Sequence, residues 1–155
     1  MSGMYVTKKQ LKQFQKVLEK FERWRILIQD NPDPDALSSA GALGFIAEET
    51  GCQDYRIVFG GVIGRAENRA MCRYLRLKTE QVSSSCFSGK YGIAIVDTQP
   101  GTGNNLLPEG FTPHIIIDHH PEKAEFEDVP FADVRPKYGA VSTLMCQYLQ
   151  KGEMT

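Results

Sequence analysis

The stretch that most constrains this chain is residues 26–40, ILIQDNPDPDALSSA, where an apolar run leads into two aspartates and then into small residues. The apolar run, Ile26 to Ile28, predicts a buried strand, and the small residues from Ala36 onward predict a helix. Asp33 and Asp35 would then follow the carboxyl end of the strand, which is where open α/β sheets bind ligands. This stretch therefore predicts a βα unit with acidic residues at its ligand-binding end.

The aspartate pair has two interpretations. In the first, Asp35 is the N-cap of the following helix and Asp33 is a solvated turn residue. In the second, both are ligands, because two carboxylates this close repel each other unless one takes a proton or a cation lies between them. The rest of the chain decides between the two.

Composition and charge exclude several classes of protein. A chain of 155 residues with 41% hydrophobic residues can form one domain with a real core. A net charge of −1 gives no overall basic field, so binding to long duplexes is not expected. The four cysteines form no CxxC pair and predict free thiols in a reducing compartment. With no signal-peptide core and no apolar run near ~18 residues, we expect a cytoplasmic protein without a membrane span.

The periodicity of apolar residues predicts an alternation of helices and strands. Helices are predicted over 8–23, 36–49, 66–77 and 139–150, and strands over 25–29, 54–59, 91–96 and 114–117, with an edge strand or loop over 81–90 and an irregular stretch over 121–138 that has a short strand near Phe131. The strand runs are continuously apolar, which predicts a parallel sheet covered on both faces by helices in an α/β fold. The inward residues of the third helix are predicted to be Ala70, Met71, Tyr74 and Leu75. The last helix is predicted to carry its apolar residues on one face, namely Ala140, Val141, Leu144, Met145, Tyr148 and Leu149.

Three of the predicted strands end in residues of the kind that bind metals. These are Asp33 and Asp35, then Asp97, then Asp118-His119-His120. The ends of parallel strands meet at one edge of a sheet, so these side chains would converge in one crevice. Two divalent ions there would clamp a phosphate and make hydroxide from water, and mixed Asp/His ligands suit Mn²⁺, with Mg²⁺, Co²⁺ or Fe²⁺ as alternatives. Taken singly, Asp97 could also be a turn residue, and either histidine a satisfied polar residue.

Four motifs in this order resemble those of the DHH phosphoesterases. They are Asn31–Ala36, Asp97-Thr98, Asp118–His120 and Gly139–Thr143, and the resemblance covers residues 25–150. Within that superfamily the chain is most similar to oligoribonuclease/pAp-phosphatase and RecJ-type exonucleases. The resemblance implies one Rossmann-like, three-layer αβα DHH domain over 1–155, with an N-terminal helix in 1–24.

The resemblance also implies a role for each site residue. Asp33 would bind one metal ion and Asp35 the other, Asp97 would bridge both, and His119 would bind the second. His120 would orient the site or touch the phosphate, so that Asp97, His119 and His120 are the candidate catalytic residues.

Two departures from the family pattern accompany the resemblance. Gln29 stands where the family usually has a histidine, and an amide oxygen is the weaker ligand. A later metal-binding aspartate and the smaller substrate-recognition domain of the family would lie beyond Thr155. We therefore expect the catalytic-core half of a longer protein or a truncated relative. In such a core the last helix is expected to expose Leu144, Tyr148 or Leu149, and a homodimer could form through that patch.

Candidate substrate contacts lie outside the metal-binding motifs. The Gly-rich turn at 60–64 leads into Arg65 and Arg69, which could hold a phosphate or be solvated surface residues. Ser142 in the fourth motif is a further candidate. The Gly-rich stretch at 100–105 lacks the spacing of a nucleotide fingerprint and is expected to be a flexible loop at the rim of the cleft.

Together these features predict a metal-dependent phosphoesterase core. It would hydrolyse phosphoester bonds of small nucleotides or short oligonucleotides with a water activated by two metal ions. Two alternatives remain open: a catalytically weak nucleotide-binding or regulatory domain, and a fragment that needs a separate C-terminal domain for activity.

Overall fold

The chain folds around one six-stranded parallel sheet with the strand order β3-β2-β1-β4-β5-β6. The computed structural model describes residues 3–121 and 125–155. The strands are β1 (Arg23–Leu27), β2 (Asp54–Phe59), β3 (Thr79–Gln81), β4 (Gly92–Val96), β5 (Ile115–Asp118) and β6 (Phe131–Val134), and the helices are α1 (Lys8–Leu18), α2 (Pro34–Glu49), α3 (Ala66–Tyr74) and α4 (Val141–Lys151), with one 3₁₀ turn at Ser84–Phe87.

The predicted fold class, a three-layer α/β fold with a parallel sheet, is confirmed. Every pair of neighbouring strands is parallel. The strand order reverses between β1 and β4. The connection after β1 runs to β2 on one side, and the connection after β4 runs to β5 on the other side. Connections diverge at such a switch point, and they open a crevice at the carboxyl ends of the two strands.

The two faces of the sheet are covered differently. The larger core cluster joins one face to α1, α2 and α4, with Phe14, Leu37 and Tyr148 among its fully buried side chains. On the other face, a smaller cluster built on Leu27 and Ile116 is covered by the 3₁₀ turn and by loop side chains. The third layer therefore consists mainly of the connections around β4, β5 and β6, and these connections also border the crevice.

Several element boundaries differ from the predicted ones. The first helix ends at Leu18 instead of 23, because the Trp24 indole Nε1–H donates to the Leu18 carbonyl at 3.1 Å and the chain turns there into β1. The edge strand, β3, is three residues long. It lies before most of residues 81–90, the stretch in which the sequence predicts an edge strand or loop. Part of the irregular stretch predicted over 121–138 lies outside the described residues, and β6 supplies its short strand near Phe131.

The prediction for the inward face of the third helix is wrong except at Met71, because Ala70, Tyr74 and Leu75 are exposed. Tyr74 is 86% exposed and Leu75 is 47% exposed, whereas Asn68 is buried and Met71 is partly buried. The inward flank of α3 is formed by Asn68, Met71 and Cys72, which recur at three- and four-residue steps and shift the buried face away from the predicted one.

The prediction of an exposed patch on the last helix is also wrong. Leu144 and Tyr148 are fully buried, and Leu149 packs partly buried against the same cluster. The reason is that α4 packs along α2, while Phe14 and Phe131 place their rings 5.1 and 6.3 Å from that of Tyr148. Among the described residues no helix is both long and apolar enough to cross a bilayer.

The close approach of α2 to β2 gives a first testable prediction. A Cβ added at Gly44 would lie 2.3 Å from Cε2 of the Tyr55 ring, and the ring is itself buried. Gly44→Ala should therefore lower the free energy of unfolding by about 1–3 kcal/mol through overpacking. Urea denaturation measures the change. Gly64→Ala, where an added Cβ meets nothing within 4 Å, is the control and should stay within about 0.5 kcal/mol of the wild type. Equal midpoints for the two variants would contradict the tight packing.

Candidate metal centre

The aspartates after β1 both accept hydrogen bonds from backbone N–H groups. The capping interpretation named Asp35 as the N-cap of α2, but the N-cap is Asp33. Asp33 is the N-cap of α2, and its Oδ1 accepts from the Ala36 N–H at 2.9 Å. Asp35 instead reaches the start of α4, where Oδ2 accepts from the Val141 N–H at 2.9 Å and Oδ1 from the Ser142 N–H at 2.8 Å. Asp35 thus supplies the cap that the N-terminus of α4 lacks from its own N-cap residue.

The environment of Asp35 favours its charged form. Burial alone would raise the pKa of this carboxyl, but hydrogen bonds from Ser142 and Val141 outweigh burial and hold the pKa below its usual range. Asp35 therefore remains an anionic carboxylate at the edge of the crevice.

Asp97 is a buried carboxylate with an open oxygen. It follows β4 in a left-handed conformation, with φ 60°, and its backbone N–H donates to the Ile117 carbonyl at 3.0 Å. The residue is 2% exposed, and Oδ1 has no hydrogen-bond partner within the described part of the chain. A buried polar atom without a partner is rare in folded proteins and calls for an explanation such as an ion.

The neighbours of Asp97 make its negative charge costly. Burial, followed by the charges of Asp35, Asp33 and Asp118, raises the pKa of Asp97 to about 7. Without a cation this carboxyl holds its proton through most of the acidic range. A bound cation would remove the penalty and favour the ionised form.

His119 turns one ring nitrogen toward the two carboxylates. Its Nδ1 lies 2.9 Å from the Tyr138 carbonyl, which can only accept, so we assign the ring proton to Nδ1. The lone pair of Nε2 is then available as a ligand, and a carbonyl partner of this kind is the usual support for a metal-binding histidine. Nε2 lies 3.4 Å from Asp97 Oδ1 and 4.0 Å from Asp35 Oδ2.

His120 is held by the buried carboxylate of Asp118. His120 Nδ1 lies 2.8 Å from Asp118 Oδ1, and Gln99 Nε2 donates to Asp118 Oδ2 at 2.7 Å. Burial opposes the charged form of His120, but the hydrogen bond and charge of Asp118 prevail and raise its pKa. Asp118 is fully buried and its two oxygens bond to His120 and Gln99, so Asp118 is placed to orient the ring of His120.

The structure brings Asp97, His119 and His120 together, with one potential ligand atom of each within 4.8 Å of the others. Asp35 Oδ2 borders the same space through its approach to His119. Both carboxylates lie within 4.0 Å of His119 Nε2, so we consider Asp35, Asp97 and His119 the stronger ligand set. Asp33 is close enough to raise the pKa of Asp97, although one of its oxygens caps α2.

The remaining candidate residues lie around this centre in different roles. Gln29 follows β1 and is partly buried, and Arg65 is an exposed N-cap residue of α3. Arg69 Nη1 donates to the carbonyls of Ile63 at 3.1 Å and Gly64 at 2.8 Å, so at least part of this side chain is structural. Ser142 contacts Asp35, which makes it a support for that carboxylate in the structure.

Sequence reasoning missed the residues that support the site. Tyr138 acts through its backbone carbonyl, which no side-chain pattern can indicate, and Gln99 follows Asp97 without belonging to a motif. In the loop expected to be flexible, Asn105 Nδ2 donates to the Gln99 carbonyl at 2.9 Å and to Thr98 Oγ1 at 3.0 Å. The Asn104 carbonyl accepts from the Asp30 N–H at 2.8 Å, so this loop is tied to the turn after β1.

Comparison with known proteins places the fold. No family profile matches the chain. The chain is 40% identical over 126 residues to the uncharacterized protein MJ1633 of Methanocaldococcus jannaschii, an alignment that covers 81% of this chain and 25% of that protein. The chain therefore spans about a quarter of the length of this relative.

A solved structure shares the architecture. The crystal structure of an exopolyphosphatase-related protein from Bacteroides fragilis superposes with a TM-score of 0.59 at 13% identity, over 97% of this chain and 45% of that one. At this identity the similarity shows the fold alone. The chain therefore has the parallel α/β fold of an exopolyphosphatase-related protein, with a candidate Asp/His metal site at the switch point of the sheet.

Proposed function

We propose that this chain is the core of a metal-dependent phosphoesterase of the DHH type, acting on small nucleotides or short oligonucleotides. The observation that carries the proposal is the buried Oδ1 of Asp97, which has no hydrogen-bond partner among the described residues and faces His119 Nε2 at 3.4 Å. The fold, shared with an exopolyphosphatase-related protein, is compatible with hydrolysis of phosphorus–oxygen bonds.

The donor atoms around Asp97 fit divalent cations. Asp33, Asp35, Asp97 and His119 would hold two ions, and their mixture of carboxylate and imidazole suits Mn²⁺, with Mg²⁺ or Co²⁺ as alternatives. Open oxygens are available, because Asp97 Oδ1 is unpartnered and Asp33 uses one oxygen as a cap. When bound, such ions polarise phosphoryl oxygens and lower the pKa of water.

The chain's own residues then orient the substrate and supply a proton. Asp118 is fully buried and accepts a hydrogen bond from Gln99. Its Oδ1 lies 2.8 Å from Nδ1 of His120 and so orients the ring, while the His120 side chain is half exposed. The raised pKa of His120 favours the protonated ring, which can donate a hydrogen bond to a phosphoryl oxygen. His119 is kept in one tautomer by the Tyr138 carbonyl.

A hydrolysis assay tests this proposal. The protein is incubated with Mn²⁺ and a short oligoribonucleotide, and release of mononucleotide is followed with and without a chelator. We expect release that depends on the metal and is lost in Asp97→Asn. Release that persists in the chelator, or in the variant, would contradict a role for Asp97 in holding a cation.

Gln29 favours the alternative of a catalytically weak or regulatory domain. An amide oxygen at a ligand position binds transition metals less well than an imidazole nitrogen. Gln29→His should therefore tighten Mn²⁺ binding by about tenfold, measured by isothermal titration. Gln53→His, at an exposed residue just before the amino end of β2 and away from the strand ends that carry the site, is the control and should leave the affinity unchanged. Equal affinity in Gln29→His and the wild type would rule out a ligand role at position 29.

A further inference from the structure

The exposed side of α3 carries a concentration of arginines that the metal centre does not use. Arg65, Arg69 and Arg73 recur at four-residue steps, which places them on one flank of the helix, and Arg76 follows just after its end. All four residues are exposed. The whole chain has a net charge of −1, so this positive surface is local.

The fold does not neutralise this surface. Among the described residues, none of the four arginines forms an ion pair with a carboxylate, whereas Arg25, Arg56 and Arg135 all do. Arg69 donates from Nη1 to two backbone carbonyls, which leaves its charge uncompensated. An unpaired cluster of like charges destabilises the fold slightly, and a polyanionic partner would remove that cost.

The position of α3 connects this surface to the metal centre. β2 lies beside β1 in the sheet, so the loop from Gly60 to Arg65 follows the same sheet edge as Asp33 and Asp35. Hydrogen bonds join the two loops, from the Gly60 N–H to Asp30 Oδ1, from the Val62 N–H to Asn31 Oδ1 and from the Asn31 N–H to the Gly60 carbonyl. The row of arginines, here called the stripe, begins at that edge with Arg65. From Arg65 to Arg73 it extends about 12 Å along the helix, at ~1.5 Å per residue. This is the length of about three to four stacked nucleotides at ~3.4 Å each.

An aromatic ring accompanies the positive charge. Tyr74 follows Arg73 directly and is 86% exposed, the largest exposure among the large hydrophobic side chains of the described residues. Arginine contacts to phosphate, combined with an exposed ring on which a base can stack, are the features with which proteins bind single-stranded nucleic acid. Inorganic polyphosphate offers the same charge but no base, so Tyr74 distinguishes the two ligands.

We propose that Arg65, Arg69, Arg73, Arg76 and Tyr74, here called the α3 surface, bind a single-stranded oligonucleotide whose end lies in the metal centre. This inference rests on the proposed function and deepens it, because it selects oligonucleotides over mononucleotides as substrates. The phosphates contact the arginines, and a base stacks on Tyr74. Affinity should accordingly rise with length up to the span of the stripe.

Fluorescence anisotropy tests the α3 surface. The probe is a fluorescein-labelled oligo(U) of eight nucleotides, titrated with the protein in excess chelator, so that no hydrolysis takes place. Arg65→Ala/Arg73→Ala should weaken binding about tenfold in low salt and reduce the salt dependence by about 0.7 per lost phosphate contact. Tyr74→Ala should weaken binding about fivefold or more, as expected for loss of a stacking ring.

The control is Arg23→Ala, which removes an exposed arginine at the amino end of β1, opposite the strand ends that carry the metal centre, and should bind the probe like the wild type. Thermal melts followed by circular dichroism check that each variant is folded. The proposal is overturned if the wild type does not bind the probe, if Arg23→Ala weakens binding as much as the double variant, or if Tyr74→Ala binds as tightly as the wild type. Equal loss of oligo(U) and polyphosphate binding in the double variant, with no effect of Tyr74→Ala, would instead identify a polyphosphate surface.

This experiment fails independently of the proposed function. Binding in chelator requires no metal and no turnover, so it can succeed even if the protein hydrolyses nothing. Conversely, metal-dependent hydrolysis of a small substrate such as bis(p-nitrophenyl) phosphate, which is too short to reach along α3, reports on the metal centre alone. Hydrolysis of that substrate without oligo(U) binding would reject the α3 surface and retain the phosphoesterase.

Discussion

Asp97→Asn is expected to be more stable than the wild type while losing metal-dependent activity. The carboxylate is 2% exposed and surrounded by other acids, and its pKa of about 7 means that ionisation is penalised in the folded protein. Relative to an unfolded value of ~3.9, at ~1.36 kcal/mol per unit, the penalty above pH 7 has an upper bound of about 4 kcal/mol. The amide has no charge to lose, and asparagine tolerates the left-handed conformation at this position. We expect a gain of about 2 kcal/mol at pH 8.

The gain in stability of Asp97→Asn depends on pH because the pKa of Asp97 is raised in the folded wild type. A carboxyl whose pKa is raised in the folded state binds more protons there than in the unfolded state, so the wild type loses stability as the pH rises from about 4 to about 7. Asp97→Asn escapes this loss. The difference between the two proteins should be small at pH 4 and fully developed above pH 7.

Thermal unfolding in the presence of a chelator, at pH 5 and pH 8, measures the effect. A gain of about 2 kcal/mol corresponds to a rise in Tm of about 4–8 °C for a chain of this size. Excess Mn²⁺ should raise the Tm of the wild type and leave that of the variant nearly unchanged. A lower Tm for Asp97→Asn at pH 8 would show that the charge of Asp97 is satisfied without a cation.

Asp133→Ala is expected to cause the largest loss of stability. Arg135 donates from Nε and Nη2 to the Asp133 carboxylate at 2.7 and 3.0 Å, and the two side chains are only 2% and 5% exposed. Tyr148, also fully buried, donates its hydroxyl to the same carboxylate. Removing Asp133 leaves a buried guanidinium without its counter-charge, which costs about 3–5 kcal/mol.

Urea denaturation compares this variant with Asp54→Ala. Asp54 also pairs with arginines, but its side chain is 29% exposed and that of Arg56 is 35% exposed. A pair of this kind contributes about 1 kcal/mol or less. If Asp133→Ala and Asp54→Ala lost similar amounts of stability, the buried pair would not be what holds β6 to α4.

The sheet and the location of the site could be predicted from the sequence. A continuous apolar run such as residues 91–96 is typical of a strand that is covered on both faces. Acidic residues that follow parallel strands lie at the same end of the sheet. The buried face of α3 could not be predicted, because it includes a polar residue, Asn68, beside Met71 and Cys72, and hydrophobic periodicity does not place an asparagine inside. The Asp133–Arg135–Tyr148 network was likewise invisible, since it joins residues of two elements that no local pattern relates.

Partners distant in sequence account for the rest of the site. Asp35 binds the start of α4 across 106 residues, so local capping rules assigned the wrong aspartate to α2. The tautomer of His119 depends on a carbonyl 19 residues away. Such contacts exist only once the layers have packed, and a one-dimensional pattern does not contain them.

The position of Asp35 has a consequence for genetic screens of this protein. The same carboxylate joins the first turns of α2 and α4 and borders the candidate metal centre. Substitutions there would remove the cap of the first turn of α4 and so lower the stability of the fold, and such alleles would be scored as poorly expressed and discarded. Alleles at Asp97 would accumulate as abundant, folded protein. A selection for loss of activity would therefore recover Asp97 repeatedly and under-represent Asp35, even if both residues hold the proposed metal ions.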